Sequence, residues 1–264
     1  MRRCRNLNLQ NQRHVRLIAR ARAKIIMDKQ AQYAALVSAR KAYDPTPLGL
    51  SNPSAPTHAR FDSSHIGPWT RWAHDLNADL MIIGQDWGDE RYFVENQGLD
   101  SPANPTNVAL QELVSSIGLQ LPQPPTAGAI PDPRSANCGI WLTNALLWLK
   151  TGGLSAKVRD DWFGDEAARF LKAQIEIVHP RVIVALGQRA YDLVLWSYNL
   201  TKRRGLFLSV VEMEEPVVLP PEVHAARLVG VYHCGIRVRN ALRHFPEQQN
   251  DWVRVRRALD SSPC

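Results

Sequence analysis

Four short stretches carry residue types suited to one chemistry. Gly84-Gln85-Asp86-Trp87-Gly88 follows the apolar run Leu80 to Ile83 and presents one carboxylate on a glycine-flanked turn. Thr143-Asn144 follows Ile140-Trp141-Leu142 and presents an amide. Gly187-Gln188 follows the run Val182 to Leu186, and His233-Cys234-Gly235 follows Val229-Gly230-Val231-Tyr232. Glycine lets the backbone turn sharply and lets a ligand come close. In open α/β sheets ligands bind in the crevice outside the carboxyl ends of the strands. If the four runs are parallel strands, an acid, an amide, a glycine turn and a histidine line a single cleft.

The elements needed to position them are legible. Strand-like runs fall at Leu80–Gly84, Ile140–Thr143, Val182–Leu186 and Leu228–Tyr232. Helix-like segments fall at Asn107–Ile117, Asp165–Val178 and Gln188–Tyr198, with further ones at Val238–Leu242 and Gln248–Leu259. Strands alternating with helices imply βαβ units and a mostly parallel sheet. Val182–Leu186 lacks polar alternation, as expected of a strand covered on both faces. Upstream, residues 14–43 place apolar residues at helical spacing, and residues 44–69 hold five prolines. The expected organisation is a basic helical arm with a Pro-rich linker over residues 1–60, then an α/β domain over residues 61–264.

With 264 residues, 45% of them hydrophobic, and eight tryptophans, the chain is long enough for one full α/β core or two small domains. No apolar run approaches the roughly 18–20 residues that span a bilayer, and no secretory signal is visible. The Arg-rich, acid-poor start also fits a mitochondrial transit peptide, but it runs on into a long helical pattern. Cys4, Cys138, Cys234 and Cys264 form no C-x-x-C pair and have no accompanying His cluster, so neither a zinc site nor an iron–sulfur cluster is expected. The net charge of +7 is concentrated at one end: residues 1–50 hold eleven Lys and Arg against two acids. Such an arm on a near-neutral body implies a polyanion partner, most often nucleic acid.

The order and context of the motifs resemble the uracil-DNA glycosylase superfamily. Gly84-Gln85-Asp86-Trp87-Gly88 resembles its first motif, G-Q-D-P-Y in one branch and G-E-A-P-G in another. Leu142-Thr143-Asn144-Ala145 resembles the L-L-N-T or I-T-N strand end. His179-Pro180-Arg181-Val182-Ile183-Val184-Ala185-Leu186-Gly187 resembles the P-x-V-I-V-x-L-G segment, and Tyr232-His233-Cys234-Gly235 the H-P-S-P motif. The match covers roughly residues 65–259. It implies a three-layer α/β/α sandwich around a central, mostly parallel four-stranded sheet, with the basic arm as an N-terminal extension. It also implies a monofunctional, cofactor-free DNA glycosylase that flips a uracil or modified pyrimidine out of DNA, hydrolyses its N-glycosidic bond and leaves an abasic site.

That reaction builds positive charge on the deoxyribose and negative charge on the departing base, so it needs a carboxylate near one and a donor near the other. Asp86 fits the first role and orients the attacking water. His233 fits the second, donating to O2 of the leaving pyrimidine. Asn144 can pair with the Watson–Crick edge, since an amide both donates and accepts. Gln85, Trp87 and Gly88 border the base. Tyr92-Phe93-Val94 resembles the family's P-F-V segment, which places Phe93 on the base face. In the last loop, Ile236 or Arg237 would fill the gap left by the base, and Arg239 and Arg243 would hold phosphates. Each residue alone also has an ordinary structural reading, such as a helix cap for Asp86.

Departures from the family pattern bear on substrate. Gly88 stands where the strict uracil branch has a Tyr that blocks the C5 methyl of thymine, and Trp87 replaces a Pro. Trp148 stands where the iron–sulfur branch would carry a cysteine. Cys234 replaces the Pro of H-P-S-P and is by type a candidate nucleophile. Three alternatives therefore accompany the leading expectation: a glycosylase for a bulky C5-modified pyrimidine, as in viral modified DNA, with a defence role; a catalytically silent DNA-binding protein on the same scaffold; and an unrelated nucleoside-processing hydrolase. A monomeric intracellular protein, cytoplasmic or nucleoid-associated, is expected, with DNA as partner and no membrane.

Overall fold

The computed structural model describes residues 28–154, 156–202, 205–220 and 225–261. The expected arm upstream of residue 28 lies outside the described residues. The first described helix, α1, is helical over its described residues 28–42 and precedes the short strand β1 (Leu50–Ser51). The body follows as β2 (Leu80–Asp86), α2 (Glu90–Glu95), α3 (Pro105–Ser116), β3 (Ile140–Leu146), β4 (Leu149–Lys150), α4 (Asp165–Val178), β5 (Val182–Leu186) and α5 (Gln188–Ser197). It ends with α6 (Phe207–Val211), β6 (Val217–Val218), β7 (Arg227–Val231), α7 (Ile236–Ala241) and α8 (Phe245–Asp260).

The main sheet has the order β3-β2-β5-β7-β6. Its first four strands are parallel, as the alternating pattern requires, and β6 is a fifth, antiparallel edge strand. At two residues, β6 is too short to leave a periodic signal. β1 and β4 form a separate antiparallel pair that joins Leu50 to Lys150.

Strand side chains alternate between faces, and that period divides the core in two. Met81, Ile83, Trp141, Ile183 and Ala185 pack with residues of α1, α4 and α5. Leu80, Ile82, Leu142, Val184, Leu186 and Val229 pack with residues of α3 and α8. Every residue of β5 is at 0% exposure, which explains its uninterrupted apolar run.

Helix α1 belongs to the body. Tyr33, Leu36 and Val37 are buried, and Tyr33 packs edge-on against Trp141 at 5.1 Å. Lys29 Nζ donates to the carbonyls of Leu76 (2.9 Å) and Val178 (3.0 Å). Arg40, fully buried, donates to both oxygens of Asp62 at 2.8 and 3.0 Å. Two cations counted with the basic arm thus serve the fold.

The register aligns the strand ends. Gly84 lies opposite Asn144, Asp86 opposite Leu146, and Leu186 opposite Val231. Among the described residues no helix is long and apolar enough to cross a membrane, and no group of His, Cys, Asp or Glu is arranged to hold a metal ion.

Candidate active site

A cavity of about 700 Å³ opens at the carboxyl edge of the parallel strands. Its lining includes Gln85, Asp86, Trp87 and Gly88 from the end of β2, His233 after β7, and Ile236 and Arg237 at the start of α7. A second cavity of about 720 Å³ adjoins it, sharing Gln85, Gly187, His233 and Val238.

Asp86 ends β2 and is not a helix cap; Asp89 caps α2 instead, accepting from the Tyr92 N–H at 2.6 Å. The Asp86 carboxylate is held on both oxygens. Gln85 Nε2 donates to Oδ1 at 2.7 Å, and Lys150 Nζ pairs with Oδ2 at 2.7 Å. Gln85 is steadied in turn by Arg189 Nη1, which donates to its Oε1 at 3.3 Å. Lys150 is buried at 4% exposure and was not singled out by its sequence context. The available signal was a lysine closing the apolar run Leu147-Trp148-Leu149 just before Gly152-Gly153.

His233 has a fixed tautomer. The Gly235 N–H donates to Nδ1 at 3.0 Å, so Nδ1 carries a lone pair and the proton sits on Nε2. Burial pushes the His233 pKa below the ordinary histidine value, opposed by the negative charge of Asp86. The ring is therefore neutral at physiological pH and offers a single Nε2–H donor. Gly187, which lines the cavity beside His233, has φ +94°, a left-handed conformation that glycine accommodates.

The remaining expected residues divide. Trp87 forms the cavity's aromatic wall, and Phe93 lies behind it at 1% exposure with ring centroids 5.6 Å apart. Phe93 therefore buttresses Trp87 and does not itself line the cavity. Asn144 is 3% exposed and packs over Gly84 beside Trp69, where a Cβ on Gly84 would overlap both Asn144 Oδ1 and the Trp69 ring. Trp69 lines the cavity; Asn144 does not, and its buried Oδ1 has no partner among the described residues. Ile236 is exposed at 54% and stands at the mouth with Arg237. The Arg239 guanidinium lies over the Phe245 ring at 4.4 Å. Arg243 is matched by Asp251 (2.7 Å), Glu247 (3.5 Å) and Glu212 (3.9 Å), so its charge is committed within the protein.

Cys234 is not a nucleophile. It is fully buried, its Sγ lies 3.5 Å from the Thr106 carbonyl, and burial pushes the thiol up to about 12.

Fold and site together define an α/β/α protein that brings a carboxylate and a histidine to one cavity at the carboxyl edge of a parallel sheet. The family model described as the uracil DNA glycosylase superfamily matches residues 72–256, and the chain belongs to that superfamily of DNA glycosylases. No curated protein matches the chain.

Proposed function

We propose that this protein hydrolyses the N-glycosidic bond of a pyrimidine flipped out of DNA, leaving an abasic site. The observation that carries this reading is the pairing in one cavity of a clamped carboxylate, Asp86, with a neutral histidine whose only proton is on Nε2. The bond breaks towards a sugar cation and a base anion. Asp86 stabilises the first and orients the incoming water; the His233 Nε2–H donates to the second. Each such contact is typically worth about 10²–10³ in rate.

The target must leave the duplex to reach Asp86. Trp87 supplies the stacking face, a contact worth about 1–3 kcal/mol per base. Asn144 holds an unused acceptor behind Trp69, and a buried polar atom without a partner costs about 1–3 kcal/mol. A shift of Trp69 would let that amide meet the base edge. Ile236 and Arg237 fill the gap in the stack, and the basic arm holds the flanking phosphates.

A narrower substrate is favoured by one observation. Gly88 opens on the cavity, where an added Cβ would meet only Leu154 and Tyr92 at 3.4 Å. Within the cavity of about 700 Å³, this leaves room for a bulky C5 substituent, as in modified viral DNA. A panel of oligonucleotides carrying U:G, U:A, single-stranded U and C5-substituted pyrimidines, scored by alkaline cleavage, tests both readings. Preference for plain uracil would eliminate the narrower one.

A further inference from the structure

Lys150 is the reactive group in the cavity that base release leaves unused. Its amine is buried at the cavity wall, 2.7 Å from the carboxylate assigned to the sugar. Two of its three hydrogens have partners, Asp86 Oδ2 and the Leu154 carbonyl at 3.3 Å. Any deoxyribose placed for Asp86 to act on is therefore within reach of a primary amine.

We propose that Lys150 gives the site a second activity: cleavage of the DNA strand at the abasic sugar through a covalent imine. This rests on the reading of the cavity as a glycosylase site, and it extends the single hydrolytic activity expected from the family. Desolvated lysines are established nucleophiles towards carbonyl carbons. The Lys150 ammonium first passes one proton to Asp86 across their hydrogen bond. The freed amine attacks C1′ of the ring-opened abasic aldehyde, forming a C–N bond and a carbinolamine. Its hydroxyl leaves as water with the proton from Asp86, giving the iminium. Asp86, again a carboxylate, removes a C2′ proton; the electron pair forms the C2′–C3′ double bond, and the C3′–O bond breaks as the 3′ phosphate departs. Water then hydrolyses the iminium, releasing an unsaturated aldehyde on the cleaved strand and one proton to the departed phosphate, and the freed Lys150 amine takes back the proton held by Asp86. The sequence needs no oxidant, reductant or metal.

The test uses the full chain and an oligonucleotide with a preformed abasic site, so it does not depend on which base the enzyme releases. Borohydride reduction should trap a protein–DNA adduct, and peptide mapping should place it on Lys150. Without borohydride, the strand should break with no alkali or heat. Lys150→Arg, which keeps a cation beside Asp86 but removes the primary amine, should lower trapping at least 100-fold. An intact strand and no adduct with the wild-type protein, or an adduct mapped to another lysine, would overturn the proposal. Base release measured separately by alkaline cleavage distinguishes that failure from failure of the glycosylase reading.

Discussion

The Asp86–Lys150 pair gives the sharpest mutational test, because its two members affect stability and catalysis differently. At 2.7 Å the Coulomb attraction is about 6 kcal/mol for an effective dielectric constant of 20, most of it offset by desolvation. The Lys150 side chain is buried at 5% exposure and that of Asp86, at the cavity edge, is at 11%, so removing the Asp86 charge leaves the Lys150 ammonium unpaired in a buried place. Asp86→Asn should therefore lower unfolding stability by about 3–5 kcal/mol, the usual cost of breaking a buried pair. It should also slow base release by about 10²–10³. Asp86→Asn combined with Lys150→Met removes both charges. With both charges gone no ion is left unpaired in a buried site, so the double variant should recover most of the stability and none of the base release. Urea denaturation gives the first quantity, and single-turnover base release at saturating enzyme gives the second. An Asp86→Asn protein as stable as wild type would refute the buried-pair energetics. A double variant that regains base release would refute the role given to the Asp86 carboxylate.

Four other predictions follow from the same geometry. His233 acts as a neutral donor, so base release should stay flat from pH 6.5 to 8.5; a tenfold fall per pH unit would mean that the imidazolium is the active form. Burial holds His65 at a pKa of about 3, so the unfolded chain gains protons below pH 6.5 while the folded one does not. Stability from this residue is complete above pH 6.5 and is lost as pH falls towards 3, by about 2–3 kcal/mol at pH 4.5; wild type and His65→Gln losing equal stability between pH 7 and 4.5 in urea titrations would contradict this. Gly88→Tyr should cut activity on C5-substituted pyrimidines relative to uracil by about 10–200-fold in competition assays, and an unchanged ratio would remove Gly88 from the specificity argument. Deleting residues 1–27, which hold eight Lys and Arg and no acid, should flatten the salt dependence of DNA binding by about 4 units in log K against log salt if half of those cations meet phosphates. The body should stay folded, because the described part of the helix that packs on it, residues 28–42, lies downstream of that cut; an unchanged salt slope would assign the arm another role.

The strands and helices that carry Asp86 and His233 were legible because their signals are local. Val182–Leu186 and Asp165–Val178 match their expected bounds, since one is an unbroken apolar run and the other a strongly amphipathic helix. What escaped is short or distant. Helix α2 has six residues, and its start depends on a buried cap, Asp89. Lys150 reaches Asp86 from 64 positions away through a two-residue strand whose partner is Leu50–Ser51, and no periodicity foretells that approach. The motif match placed Phe93 on the base, yet the larger Trp87 beside Asp86 occupies that wall, with Phe93 behind it. Arg40 and Arg243 look like free cations in the sequence, but their carboxylate partners are Asp62 and Asp251, and only the fold joins them.

Mass-spectrometric detection of free base, alongside alkaline-labile sites, addresses the proposed reaction without intermediaries. Wild-type protein incubated with oligonucleotides bearing uracil or C5-substituted pyrimidines should release one pyrimidine per abasic site formed, and Asp86→Asn should release almost none. Intact bases on every substrate, with wild type and Asp86→Asn indistinguishable, would contradict the assignment of this cavity to glycosidic bond cleavage.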